Sequence, residues 1–312
     1  MLSRIAESLY WVGRYVERAE DTARILDVHV HRSLEDPSVE EDAACRALLA
    51  VMGVAPPAEP VEPVDTPAML ALLGFDTASP TSIAGALVAA RENARSARDS
   101  ISSEMWECLN ATYNALPEVI ARVVGGSPHA FFSYVKERAA ILAGLADSTM
   151  SRDDGWRFLV LGRSLERVDM TARLLSASFS ETSGPAEWVT TLRCCSAHEA
   201  FLRTYRRRIE PDLVAEFLLL DRLFPRSCFH ALGQAEECLA ELQPGASRAG
   251  FEDEARRVLG RARTELEFRR VHELIADLPS HLLALQAACA QAGEAVAGRF
   301  FRQGTPLEWS LS

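Results

Sequence analysis

The chain has 312 residues, 48% of them apolar, and carries a formal net charge of -11. That apolar content is ample for a large core, whereas the acidic balance excludes nucleic-acid binding through a broad basic face, because neutralising phosphates takes clustered Lys and Arg. No stretch approaches the ~20 apolar residues that cross a bilayer, so neither nucleic acid nor a membrane is an expected partner.

In chain order the pattern predicts helices over 2–34, 39–53, 80–112, 129–149, 154–179, 186–208, 211–221, 225–242, 250–276 and 278–302. In the first, Ile5, Leu9, Val12, Val16, Ala19, Ala23, Leu26 and Val30 follow the i, i+3, i+4, i+7 rule of a core-facing helix. Arg14, Glu17, Arg18 and Asp21 fall on the opposite arc. The acidic, Pro-rich stretch from Met52 to Pro67 cannot be regular helix. Further breaks are expected at Gly125–Pro128, Ser151–Gly155, Ser180–Pro185 and Gln243–Gly250, with a tail at Gly304–Ser312. Convincing alternating strands are lacking, and the chain reads as all-α.

One segment occurs twice. GRYVERAEDTARIL at Gly13 to Leu26 returns as GRSLERVDMTARLL at Gly162 to Leu175, identical at eight of fourteen positions. Most of the identities are polar: Gly13/Gly162, Arg14/Arg163, Glu17/Glu166, Arg18/Arg167, Thr22/Thr171 and Arg24/Arg173. Packing alone would rather preserve apolar positions. The second copy is apolar on both arcs, with Leu159, Met170 and Leu174 beside its charges, and a helix of that kind is buried on both sides. A fainter echo relates Ser82–Glu92 to Ser227–Glu237, each after a proline, Pro80 and Pro225. The period is far longer than a solenoid repeat. The expected architecture is a single domain over 1–312, a helical bundle of two internally duplicated halves, about 1–149 and 150–312, sharing one core.

Familiar chemistries find little support. None of the seven histidines has Glu three positions before it, as a di-metal carboxylate bundle requires; His29 and His31 cannot share a helical face, and neither His198 nor His272 completes a His-Glu-x-x-His zinc motif. No metal and no cofactor is expected. Cys194 and Cys195, with His198 one turn away, lack an orienting third group for nucleophilic catalysis. The seven cysteines, odd in number and without CxxC spacing, point to reduced thiols. Glu7, Arg14 and Glu17 interrupt any leader-like apolar run, and the expected location is the cytoplasm. Lys136 is the single lysine among 33 basic residues. Arginine suits bidentate carboxylate or phosphate binding, though a genomic composition bias gives the same skew. On the predicted helix from residue 80, Arg91, Arg95 and Arg98 run beside the core stripe, either lining an anion pocket or snorkelling along its border.

IAESLYWVGRYVERAE from Ile5, RENARSARD from Arg91, EMWE from Glu104 and LLLDRLFPRS from Leu218 together resemble the bacterial alpha-E family, which takes its name from helical content and a Glu-Arg motif. The resemblance covers nearly the whole chain. It implies company: a circularly permuted ATP-grasp protein, which joins a carboxylate to an amine, and often a transglutaminase-like peptidase and a proteasome-related peptidase. Its Glu-Arg motif falls on Glu17-Arg18, with Glu166-Arg167 as the internal partner.

Three readings follow. The chain is a helical, substrate-positioning partner of an ATP-grasp amide or peptide ligase, with Arg14, Arg18, Arg163 and Arg167 holding the carboxylate or phosphate of an amino-acid or peptide ligand. Or it is itself an enzyme of the same pathway, with Glu17 or Glu166 as acid/base. Or the charges only lock the two halves together.

Overall fold

The computed structural model describes residues 1–35, 40–54, 63–123, 127–179, 184–243 and 250–301. The helices are α1 (Ser3–Glu35), α2 (Glu41–Val51), α3 (Thr66–Leu70), α4 (Ile83–Ser96), α5 (Ser103–Val123), α6 (His129–Thr149), α7 (Asp154–Ser178), α8 (Pro185–Cys194), α9 (His198–Tyr205), α10 (Pro211–Leu220), α11 (Cys228–Leu242), α12 (Glu254–Phe268), α13 (Val271–Ala276) and α14 (Leu278–Val296). Among the described residues there is no strand, and no helix is long and apolar enough to cross a membrane. The chain is an all-α bundle.

α1 and α7 form the centre. α4 and α6 pack on α1, and α11 and α14 pack on α7. One contiguous apolar cluster runs through them all, from Leu9, Val12, Ala19 and Leu26 of α1 to Leu161, Leu165 and Val168 of α7 and Leu282 of α14. The expected stripe of α1 is thus its core face. The opposite arc is partly enclosed too: Glu17 and Asp21 are buried.

Three expected helices are broken. The one placed over 80–112 stops at Ser96; Ala97 leaves the helical region, and a fresh start at Ser103 has the Ser102 hydroxyl accepting the Met105 N–H at 3.1 Å. Serine competes for backbone hydrogen bonds, so it favours helix starts over interiors. α5 then continues to Val123 with Pro117 inside it. The helix placed over 186–208 divides at Cys195–Ala197, where Ser196 takes a left-handed φ of 52°. The 250–276 helix divides at Arg269–Arg270 into α12 and α13. A short helix, α3, continued by a π turn over Ala71–Phe75, starts within the stretch read as a Pro-rich loop. Residues 55–62 of that loop lie outside the described residues. So do 124–126, 180–183, 244–249 and the tail at 304–312, which take in much of the remaining expected breaks.

Two caps that bear on the centre are alike. Ser82 caps α4 by accepting the Gly85 N–H at 2.9 Å and donates to the Asp76 carbonyl at 2.5 Å. Ser227 caps α11 by accepting the His230 N–H at 3.1 Å and donates to the Asp221 carbonyl. Each cap fixes the preceding loop, and with it the carbonyls of Pro80 and Pro225.

Candidate functional site: the crossing of α1 and α7

The two helices run in the same direction and meet at two glycines. A Cβ on Gly13 would lie 2.0 Å from the Leu159 carbonyl oxygen, and one on Gly162 would lie 2.1 Å from that of Tyr10. Only glycine permits so close an approach of backbones. One turn further on, the charged residues of each helix therefore reach the other.

They pair crosswise. Arg14 Nε donates to Glu166 Oε2 at 2.5 Å and Arg18 Nε to Glu166 Oε1 at 2.5 Å. Arg167 holds Glu17 in a fork, Nε to Oε1 at 2.7 Å and Nη2 to Oε2 at 2.8 Å. Each distal arginine also steadies a loop: Arg18 Nη1 donates to the Pro80 carbonyl and Arg167 Nη1 to the Pro225 carbonyl, both at 3.3 Å. The glutamates are each 2% exposed, so desolvation is severe and the arginines must offset it. Burial alone would raise the pKa of Glu17, but Arg167 and Arg226 outweigh it and hold the group at about 2. Glu166 is likewise lowered, burial being outweighed by Arg14 and Arg18. Both are fixed anions at neutral pH, with their oxygens taken by guanidinium groups.

Arg226 was not singled out as a site residue. It enters from the loop before α11, with Nη1 2.9 Å from Glu17 Oε1 and Nη2 2.8 Å from Glu20 Oε1, and it also donates to Asp21 Oδ1. Three carboxylates share this one guanidinium. Burial raises Asp21 to about 7, against the pull of Arg226 and with Glu17 and Glu20 adding to the rise.

The first arginines of the two copies, Arg14 and Arg163, fare differently. Arg14 has Glu166 and, through Nη1, the Tyr10 hydroxyl at 3.1 Å. Burial would lower it, but these partners hold it well above the ordinary arginine value. At the matching place Arg163 has neither. Leu159 stands where Tyr10 stands, and the Glu17 oxygens go to Arg167 and Arg226. Among the described residues no hydrogen bond or ion pair reaches its guanidinium. Burial, and then repulsion from Arg167, lower its pKa. Arg163 lines a small pocket between α1, α5, α6 and α7, with a cavity volume of about 40 Å³ and an opening to solvent. The walls are apolar, among them Val12, Val16, Met105, Leu142 and Leu159, while Glu17, Glu20 and Arg167 line its charged end.

Arg91, Arg95 and Arg98 do not join this site. Arg91 donates to Asn110 Oδ1 at 3.2 and 3.3 Å, pairs with Glu92, and lies over the Tyr113 ring at 4.9 Å. Arg95 pairs with Glu92 at 2.8 Å, and Arg98 stacks over Trp106 at 5.7 Å. None of the three lines the Arg163 pocket. All seven cysteines are free and buried. Burial pushes the Cys195 thiol up to about 12 and Cys194 up as well, so neither offers a thiolate nucleophile at neutral pH.

Two helices bound at a glycine crossing by buried, reciprocal Glu-Arg pairs define an all-α protein whose Glu-Arg dipeptides face inward. The chain belongs to the Alpha-E family, described as a predicted alpha-helical domain with a conserved ER motif; the match covers residues 1–301. It is 28% identical over 271 residues to an uncharacterized protein of Mycobacterium bovis, and 28% and 27% identical over the same length to uncharacterized proteins of two Mycobacterium tuberculosis strains. Each alignment takes in 78% of this chain and 30% of the relative, so the chain spans under a third of the length of the curated relatives it matches. No solved structure matches it significantly.

Proposed function

We propose that the chain is a non-catalytic, substrate-positioning partner of an ATP-grasp amide or peptide ligase, in which the Glu-Arg crossing is a rigid frame and Arg163 is the cation offered to a carboxylate- or phosphate-bearing ligand. The observation that carries this reading is Arg163 itself. A largely desolvated guanidinium with no anion within ion-pair distance is costly unless something supplies the missing charge, and the small pocket beside it, open to solvent, has room for a carboxylate-sized group between apolar walls. Arg14, Arg18 and Arg167 already have their carboxylates, and they serve as the frame that holds Arg163 in place. The matched contacts at the crossing, the caps and the proline carbonyls support the reading of the chain as two related halves. The much greater length of the mycobacterial relatives supports work beside other domains.

The test combines the purified chain with the ATP-grasp protein of its gene neighbourhood, following association and ATP turnover. Association with changed turnover or amide formation is expected. Arg163→Gln should keep the melting temperature and lose the effect, whereas Arg167→Ala should unfold at much lower temperature. A chain that neither associates nor alters turnover defeats the partner reading, and an Arg163→Gln variant that works like the parent defeats the assignment of the site.

A further inference from the structure

Away from the crossing, the last turns of α1 meet the start of α6. Asp27 and His31 stand one helical turn apart on α1, and His129 is the first residue of α6, 102 positions from Asp27. Asp27 Oδ1 lies 2.7 Å from His129 Nδ1 and 3.3 Å from His31 Nδ1. The three donor atoms all lie within 4.8 Å of one another, and the two imidazoles stand edge to face, 5.1 Å apart.

We propose that Asp27, His31 and His129 form a binding site for a divalent transition ion, zinc by preference, that ties the end of α1 to α6. The donor set of two imidazoles and one carboxylate is the kind that zinc, cobalt, nickel and copper take, whereas magnesium and calcium call for mostly oxygen ligands, and these three side chains offer a single carboxylate. The spacing fits as well. Two ligand atoms bound tetrahedrally to zinc at about 2.0–2.2 Å lie about 3.3 Å apart, which is the His31–Asp27 distance, and His129 needs to withdraw by roughly half an ångström.

The surroundings orient the ligands. Asp27 is buried, and Lys136 Nζ holds its other oxygen, Oδ2, at 2.6 Å. That leaves Oδ1 as a single-point ligand with its direction set, while the ammonium charge makes the site weaker than a closed four-ligand one. His129 Nε2 lies 3.3 Å from the Ser133 hydroxyl, an outer contact of the type that fixes ring orientation at metal sites. His31 Nδ1 is 2.7 Å from the Asp27 main-chain carbonyl, so that ring must turn to coordinate. Both imidazoles are about half exposed, which gives His31 room to turn, gives the ion a way in and leaves a further position for water. Each Nδ1 that faces an acceptor must shed its proton when the ion arrives: a neutral ring regains one at Nε2, whereas a doubly protonated ring releases a net proton.

The experiment uses the full, tag-free chain stripped with chelator and titrated with cobalt(II), reading the visible d–d bands, followed by zinc(II) as competitor. About one equivalent of cobalt is expected, with the strong bands of a four- or five-coordinate ion, bleached by zinc. His31→Ala and His129→Ala alter half-exposed side chains, should keep the helical circular dichroism, and should each weaken binding at least about tenfold; Ser133→Ala should weaken it up to about tenfold. His272→Ala should change nothing. Absence of saturable cobalt binding, or binding that survives both His31→Ala and His129→Ala, overturns the site.

Discussion

The two ends of the α1–α7 crossing start from the same residues and finish differently. At the Glu166 end, one carboxylate receives two arginines, Arg14 and Arg18, and the Tyr10 hydroxyl completes Arg14. At the Glu17 end, Arg226 intrudes from outside the repeat, bringing Glu20 and Asp21 into the cluster. The position of Tyr10 is taken there by Leu159, and Arg163 is left facing a pocket. Two substitutions thus convert a closed electrostatic node into one with a spare cation. The frame tolerates the change because Arg167, not Arg163, carries the clamp on Glu17.

That difference should appear first in stability. Glu166→Gln strands two guanidinium groups with no second carboxylate nearby and should cost about 3–5 kcal/mol, the scale for breaking a buried pair. Glu17→Gln should cost clearly less, since Arg226 keeps Glu20 and Asp21. Urea unfolding of both variants measures the gap; equal losses would mean that the two ends are energetically alike. Next comes the contact that brings the helices together. Gly13→Ala and Gly162→Ala each drive a methyl group into a main-chain carbonyl on the other helix, which cannot step aside as a side chain would. Each should destabilise by about 1–3 kcal/mol, and by similar amounts, because the two approaches differ by only 0.1 Å (2.1 against 2.0 Å).

A pH scan separates the ends again. Asp21, raised to about 7 by burial, binds its proton more tightly folded than unfolded, where the value is about 3.9. Stability should therefore fall as pH rises from about 4 to about 7, by on the order of 4 kcal/mol, since the folded state holds more protons over that range. Glu17, lowered to about 2, has the opposite sign: its contribution is full above about 4.3 and is lost as pH falls toward 2. Asp21→Asn should flatten the 4-to-7 slope and leave the acid limb in place. A variant that keeps the slope would place its origin outside the Arg226 cluster.

Much of the frame was legible because periodicity and repetition report on a helix's own neighbours. The stripe Leu9, Val12, Ala19, Ala23 and Leu26 is core, and the repeated polar positions Glu17, Arg18, Glu166 and Arg167 do meet. Periodicity carries no information about which other helix supplies a partner. The crosswise pairing of Arg14 with Glu166, 152 residues away, was therefore open, and Arg226, which has no counterpart in the repeat, gave no signal. His129 was hidden for the same reason: spacing rules search within one helix, and its neighbours His31 and Asp27 belong to another. The helix ends at Ser96 and at Cys194 were missed where an apolar stripe continued in register across a break, as Ala97, Ile101 and Met105 do. The serines around Ser102 were the available stop signal.

The smallest effect tests whether the divergence is confined to the Arg163 corner. Ser82 and Ser227 cap α4 and α11 in the same way, each accepting a main-chain N–H and donating to an aspartate carbonyl six residues back. Ser82→Ala and Ser227→Ala should each cost about 1 kcal/mol, the usual loss for an N-cap, because both hydroxyls are buried and neither has a substitute partner. Thermal unfolding of the two variants should give matching shifts. If Ser227→Ala costs more by over about 0.5 kcal/mol, beyond the usual scatter of independent sites, the loop of Pro225 and Arg226 is held more tightly than that of Pro80. The Arg226 cluster would then be anchoring its own loop as well as displacing Arg163 from Glu17.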